Sequence, residues 1–396
     1  MQRQMNRIGN LYQQIISIEN LRLADQRARK GKALQYGVRT HDKNRESNLE
    51  LLHHQLRTRS YRTSKYSTFK IYEPKEREVY RLPYFPDRIT HHAVMNLLED
   101  IFTRSFTADT YSCIKGKGIH AAQRAVEKAL LDVSGTQYCL KIDIRKFYPS
   151  VDHMVLKQLL RRKFKDQDLL WLLDEIIDSA TGLPIGNYLS QYFANFYLTG
   201  LDHWIKQELG VSKYFRYADD IVILCSNKPE LHKLLSQIRE YLQTNLKLQV
   251  KGNYQVFPVA ARGIDFVGYR FNHSHTRIRK SIKQNFARMA MRRNDSKSFA
   301  SYMGWLGHAK TRHLVKKITY ACIQRNGYCA ASQRNGGRKN KNSIRTEQSN
   351  SGTQLHHRTL NTKHWGKLPH DADCSQWRKE GVVHRLEVPN GRDRKS

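Results

Sequence analysis

Two adjacent carboxylates, Asp219 and Asp220, stand inside the string FRYADDIVIL, residues 215–224, with an apolar run on each side. Burying such a pair between strands costs several kcal/mol unless a cation neutralises it, so something positive belongs there. A third carboxylate, Asp143, ends the apolar run CLKIDI and is followed by RKFYPSVDH. If that run is a strand beside the Asp219–Asp220 hairpin, three acidic side chains converge on one point. Oxygen ligands so arranged hold two hard divalent cations. The chemistry of such an ion pair is phosphoryl transfer, in which one ion lowers the pKa of an attacking hydroxyl and the other stabilises the leaving oxygen. Asp152, close behind, reads instead as the N-cap of the helix that follows it.

A sheet must bring these carboxylates together, and the surrounding pattern supplies one. Strands are predicted at 137–144, 213–217 and 221–225, with further strands near 246–250 and 264–271. Helices are predicted at 155–160, 169–177, 190–204 and 229–242, the third entered through the loop 182–186. Strands alternating with helices without strict βαβ regularity predict an α+β fold, a sheet with helices on one side. Upstream, 8–33 has helical spacing and ends in the basic string RARKGK. A helix follows at 48–56, and 68–72 with 78–82 read as a hairpin around Pro74. Asp87 stands where an N-cap would, ahead of the amphipathic RITHHAVMNLLEDIF, and another helix is predicted at 121–131. Beyond Arg277 the chain turns helical and basic, with a second helix near 299–309. Residues 327–396 are poor in apolar residues and read as a basic, weakly ordered tail without metal-ligand spacing.

Composition narrows the partners. Among 396 residues, 69 Lys and Arg face 35 Asp and Glu, a formal charge of +34, while 39% hydrophobic content is enough for a sizeable core. Disorder throughout is thereby excluded. A surplus of positive charge this large calls for a polyanion, and nucleic acid is the commonest one. No run approaches the ~18 apolar residues of a membrane span, and the start lacks the apolar stretch of a secretory signal. Six cysteines without a CxxC pair suggest neither a disulfide framework nor a zinc ribbon. A soluble, cytoplasmic protein with no membrane partner is expected.

The order and spacing of Asp143 in KIDIRKFYPSVDH, the loop GLPIGNYLSQYFANFYL and YADD are similar to those of a reverse transcriptase palm. The resemblance runs from about 70 to 275: KEREVYRLPYFPDRITHHAV resembles the first finger motif, TYSCIKGKGIHAA the second, and RGIDFVGYRF the strand pair leading to the thumb. It implies a right-hand polymerase with an antiparallel palm sheet backed by helices. Its parts would be an N-terminal extension and fingers at 1–135, interleaved with a palm at 136–270, a helical thumb at 271–326, and the tail at 327–396. Asp143 and Asp219 would be the principal ligands of two Mg²⁺ ions, for which Mn²⁺ could substitute, with Asp220 as third carboxylate and Ile144 lending its backbone carbonyl. Tyr148 matches the aromatic steric gate against a ribose 2′-OH. Gly186, Ser190 and Gln191 fall in the template and nucleotide platform. Lys251 or Lys247 stands where the family keeps a lysine near the departing pyrophosphate.

Within that family, Ile185-Gly186 and Ser190-Gln191 in the loop resemble diversity-generating retroelement enzymes. These copy a template RNA into cDNA with misincorporation opposite adenine, and they typically work with a small basic helical accessory protein. Ile114 stands where many relatives carry an arginine for the incoming dNTP, and the adjacent Lys115 and Lys117 could supply that charge. The helical segment after Arg277 sets Arg279, Lys280, Lys283, Arg288, Arg292 and Arg293 among Ile282, Phe286 and Met289, one face for packing and one for template and primer phosphates. Alternatives are a retron-like or defence-associated reverse transcriptase of ordinary fidelity, and a noncatalytic RNA-binding scaffold.

Overall fold

The helical spacing that begins at Ile8 forms two helices rather than one, α1 (Tyr12–Ile16) and α2 (Ile18–Ala28). Ser17 breaks the run because its side chain accepts from Asn20 N at 3.2 Å, capping α2. The computed structural model describes residues 7–72, 76–292 and 296–320. These form two compact units, one ending at Arg277 and the other starting at Ile278.

In the first unit, α3 (Tyr36–Asp42) and α4 (Arg45–Arg57) complete an N-terminal helical cluster with α1 and α2. An antiparallel hairpin of β1 (Ser67–Ile71) and β2 (Arg77–Arg81) follows. Then comes α5 (Ile89–Ser105), which packs against α1 and α2. Its entry differs from expectation. Asp87 does not cap α5: its buried carboxylate accepts from Tyr61 Oη at 2.8 Å and Ser64 N at 3.0 Å, tying the preceding loop down instead.

After α6 (Ile119–Ala129), strand β3 (Tyr138–Asp143) buries Leu140 and Ile142 on one face and leaves Lys141 and Asp143 half-buried on the other. That two-residue alternation is the mark of a sheet with one covered face. The cover comes from α7 (His153–Lys163), α8 (Gln167–Asp178), α9 (Tyr188–His203) and α10 (Lys228–Leu246), whose leucines and isoleucines join one core with the inner residues of the sheet. Asp152 caps α7 as expected, accepting from Val155 N at 3.0 Å. Strands β4 (Tyr214–Tyr217), β5 (Asp220–Cys225) and β6 (Gln255–Pro258) complete the sheet, which runs β4-β5-β3-β6 and is antiparallel at every pairing.

The strand expected near 246–250 is a correction. There α10 continues to Leu246 and stops at Lys247, whose left-handed φ of 51° ends the helix. Only Val250 makes a bridge, to Ile144, and the fourth strand is β6 (Gln255–Pro258). After a single turn, α11 (Val259–Arg262), the stretch 264–271 folds as a hairpin, β7 (Ile264–Phe266) and β8 (Tyr269–Phe271). Its two-residue turn has φ of 41° at Val267 and 87° at Gly268, the positive angles that tight hairpins require.

The second unit contains α12 (Lys280–Arg292) and α13 (Ser296–Leu306). Phe286 is fully buried between them, its ring 5.9 Å from that of Phe299 and 5.7 Å from that of Tyr302, with Ile282 and Met289 packed alongside. Lys280, Lys283 and Arg288 are exposed and Arg279 half-buried, so α12 has the apolar and cationic faces its spacing predicts. The side chain of Arg292, the whole of Arg293 and the segment 327–396 lie outside the described residues. Among the described residues no helix is long and apolar enough to cross a membrane.

Candidate active site

Strand pairing brings the carboxylates together. Asp143, last residue of β3, lies directly across from Asp220, first residue of β5. Between β4 and β5 the chain reverses at Ala218, with φ of 57°, and the tight turn presents Asp219 to Asp143. Asp219 is largely buried, and that burial, followed by the adjacent Asp143 carboxylate, raises its pKa to about 6. Two like charges in contact and short of water favour any cation that enters.

Two lysines already answer part of that demand. Lys251 Nζ is 3.1 Å from Asp143 Oδ2, and Lys141 Nζ is 3.4 Å from Asp220 Oδ2 while also donating to the Asp265 carbonyl of β7. Asp143 O accepts from Lys251 N at 2.8 Å, and Arg145 N donates to Gln249 O at 2.8 Å. Because alternate residues of an antiparallel pair turn their backbone groups to opposite edges, the Ile144 carbonyl faces away from that pairing, toward the edge carrying Asp219 and Asp220. Among the described residues no three His, Cys, Asp or Glu side chains form a ready-made metal cluster. The donors in place are the touching Asp143 and Asp219 carboxylates and one carbonyl. That all-oxygen set fits a hard divalent ion, which retains waters and takes further oxygens from substrate.

The sequence reading missed what fixes the turn. Arg216 is fully buried in β4 and clamps Asp202 of α9, Nε–Oδ1 at 2.7 Å and Nη2–Oδ2 at 2.5 Å. Its Nη1 donates to Asn195 Oδ1 and to the Ala218 carbonyl, each at 3.0 Å. Asp202 also accepts from Tyr214 Oη at 2.5 Å and Thr110 Oγ1 at 3.1 Å. A charge in a strand whose other members are aromatic was the available signal, since a buried guanidinium must have a carboxylate nearby.

The loop 182–186 is held by two glycines. Leu183 N donates to Tyr148 O at 2.8 Å, and a Cβ at Gly182 (φ 62°) would collide with the Tyr148 and Pro149 carbonyls. A Cβ at Gly186 (φ 116°) would collide with the Tyr80 carbonyl, while Tyr80 N donates to Ile185 O at 2.7 Å. The loop thus packs against the Tyr148 turn on one side and the β2 hairpin on the other. Ser190 and Gln191 lie in the first turn of α9, Ser190 buried and Gln191 half-buried.

Of the two lysines left open, Lys251 reaches Asp143, whereas Lys247 is spent on the helix cap Asp152 at 2.8 Å. Lys117 lies beside a backbone loop. Its ammonium is drawn into a loop of carbonyls, donating to Ala108 O at 2.9 Å, and burial lowers its pKa. Lys115 is exposed, and Ile114 packs in the core.

An antiparallel sheet whose central strand ends and tight turn bring carboxylates into contact, with helices behind, defines the palm of a right-hand polymerase. The model of the family described as reverse transcriptase (RNA-dependent DNA polymerase) matches residues 73–271, half of the chain, and the chain belongs to that family. It is 22% identical over 272 residues to protein YkfC of Escherichia coli, covering 55% of this chain and 71% of that one. With the retron Ec73 reverse transcriptase of Escherichia coli it shares 27% over 192 residues, 44% of this chain and 58% of the other. With the group II intron-encoded protein LtrA of Lactococcus lactis it shares 25% over 137 residues, 32% of this chain but only 22% of that longer protein. A telomerase structure from Candida tropicalis aligns with a TM-score of 0.45 at 12% identity, over 69% of this chain and 59% of that one.

Proposed function

We propose that this chain is an RNA-directed DNA polymerase in which Asp143 and Asp219 hold divalent cations, with Mg²⁺ the natural ions. The observation that carries the reading is the contact between these two carboxylates at the end of β3, with Lys251 and Lys141 balancing the surplus charge. Bound there, the ions would activate the primer 3′-OH and neutralise the charge that develops on the dNTP phosphates. Asp143 and Asp219 orient those ions, and the Ile144 carbonyl adds a neutral donor. Asp220 anchors Lys141 and, through it, the β7–β8 hairpin. Lys251, on the same side as Asp143, supplies positive charge where pyrophosphate leaves. Tyr148, fixed by the Gly182 loop, stands where a ring excludes a ribose 2′-OH. Arg216 keeps the Ala218 turn in place from behind. The exposed Lys280, Lys283 and Arg288 of α12 give template and primer an electrostatic surface.

The finer reading is a diversity-generating enzyme, error-prone opposite template adenine and assisted by a small basic protein; it rests on Ile185-Gly186 and Ser190-Gln191 of the loop. The similarity to a retron enzyme favours a second reading, the same chemistry at ordinary fidelity. Primer extension on a defined RNA with Mg²⁺ and dNTPs, run beside Asp219→Asn and followed by cDNA sequencing, separates them. Extension lost in Asp219→Asn with errors gathered at adenines supports the first, even accuracy the second. No extension with any template or partner would leave a noncatalytic RNA-binding scaffold.

A further inference from the structure

Helix α5 opens with a charge that its surroundings do not answer. Arg88 precedes Ile89 with helical backbone angles, its side chain is largely withdrawn from water, and it makes neither an ion pair nor a hydrogen bond among the described residues. The neighbouring carboxylate, Asp87, turns the other way to Tyr61 and Ser64. A guanidinium held like this is costly unless an anion joins it.

The groups around it make the demand larger. His91 and His92 follow Arg88 at helical spacings of three and four and share its face. One turn beyond His92, Asn96 carries another cation, accepting from Arg27 Nη1 at 2.6 Å. Arg81 of β2 flanks Arg88, and Lys32 lies near His92. Burial first, then the Arg88 charge, holds both imidazoles neutral, at pKa values of about 3, and Lys32 and Arg27 act further on His92. His91 Nε2 is buried without a hydrogen-bond partner. His92 stacks on Tyr188, first residue of α9, with centroids 4.7 Å apart and planes 20° apart. The amino end of a 17-residue helix adds further positive potential.

We propose that Arg81, Arg88, His92 and Arg27 form a track for consecutive phosphates of the template RNA strand, running along α5 toward the Gly186 loop. From Arg88 to Asn96 is eight residues of helix, about 12 Å. A repeating backbone fills that length, whereas one small anion does not. Tyr188, stacked on His92 and two residues from Gly186, ties the track to the platform on which the template would be read. This assignment rests on the polymerase reading above.

The test is RNA binding by the full chain without dNTPs, as a function of salt, together with melting of the RNA-free protein. Arg88→Met is expected to bind single-stranded RNA about tenfold more weakly and to lower the slope of log affinity against log salt by about 0.7, the value of one phosphate contact. It is also expected to raise the melting temperature, because it removes an unanswered charge. Arg27→Gln, at an exposed position, should show the same change of slope with unchanged melting, and Arg88→Lys should restore most of the slope. A lower melting temperature in Arg88→Met with unaltered RNA affinity would make Arg88 a structural residue and overturn the track. A raised KM for dNTP with an unchanged RNA slope would assign the phosphate to the nucleotide and overturn it equally. RNA held through this row by a chain that never extends a primer would sink the polymerase reading alone.

Discussion

Arg216 and Asp202 form an ion pair from which water is wholly excluded, and the same guanidinium bonds the Ala218 carbonyl in the turn that presents Asp219. Stability and geometry of the site therefore share one residue. Arg216→Met, which strands Asp202, should cost about 3–5 kcal/mol in denaturant unfolding. Arg216→Lys keeps the charge but loses the planar fork. It should fold, keep the KM for dNTP within about twofold and lose about tenfold in kcat, a gap of about 1.4 kcal/mol. Equal losses in kcat and KM would argue against a turn-positioning role.

Lys251 and Lys247 are four residues apart and serve different carboxylates, Asp143 and Asp152 respectively. Lys251→Met is expected to slow single-turnover extension by about 10²-fold, the scale of one lost acid or charge contribution. Lys247→Met should leave extension unchanged and shift stability by about 0–1 kcal/mol, as for an exposed pair.

Gly186→Ala puts a methyl group into the Tyr80 carbonyl at a φ of 116°. Backbone cannot yield as a side-chain tip can, so the loop must move or the β1–β2 hairpin must part from it. The expected cost is about 1–3 kcal/mol, read as a lower melting temperature together with a raised KM for dNTP. Gly210→Ala, where φ is also positive but the space is open, separates strain from collision and should leave that KM unchanged.

Acid should unfold the protein through His91 and His92. Both are neutral in the fold with pKa values of about 3, under burial and the Arg88 charge, with Lys32 and Arg27 also acting on His92. Above the unfolded value of about 6.5 neither contributes. Below it the unfolded chain takes up protons the fold refuses, so stability falls as pH drops toward 3, by up to about 1.4 kcal/mol per pH unit for each histidine. His91→Leu should flatten the curve of unfolding free energy against pH by about one such slope between pH 4 and 6. An unchanged curve would show that His91 takes up its proton in the folded state.

Much of the site's composition was written in the chain. The contrast of carboxylates with apolar runs marked Asp143, Asp219 and Asp220; alternation from Leu140 to Asp143 made β3 a strand and the unbroken apolar run Ile221–Leu224 made β5 one, because both patterns are properties of neighbouring residues. The helical spacing of α12 foretold its two faces for the same reason. Pairing decided the rest. That Asp143 meets Asp220 in register follows from how strands far apart in sequence align, and no local pattern carries it. The break at Ser17 and the end of α10 at Leu246, where a strand was expected to begin, turned on one capping oxygen and one left-handed residue. Lys251 and Lys247 look equivalent in the chain; only the path after α10 sends one to Asp143 and the other to Asp152. Arg216 and Arg88 are likewise two arginines beside motifs until the fold buries the first and half-buries the second. Among the described residues it gives Arg216 a carboxylate and Arg88 none, because whether a withdrawn charge has a partner depends on elements brought from elsewhere in the chain.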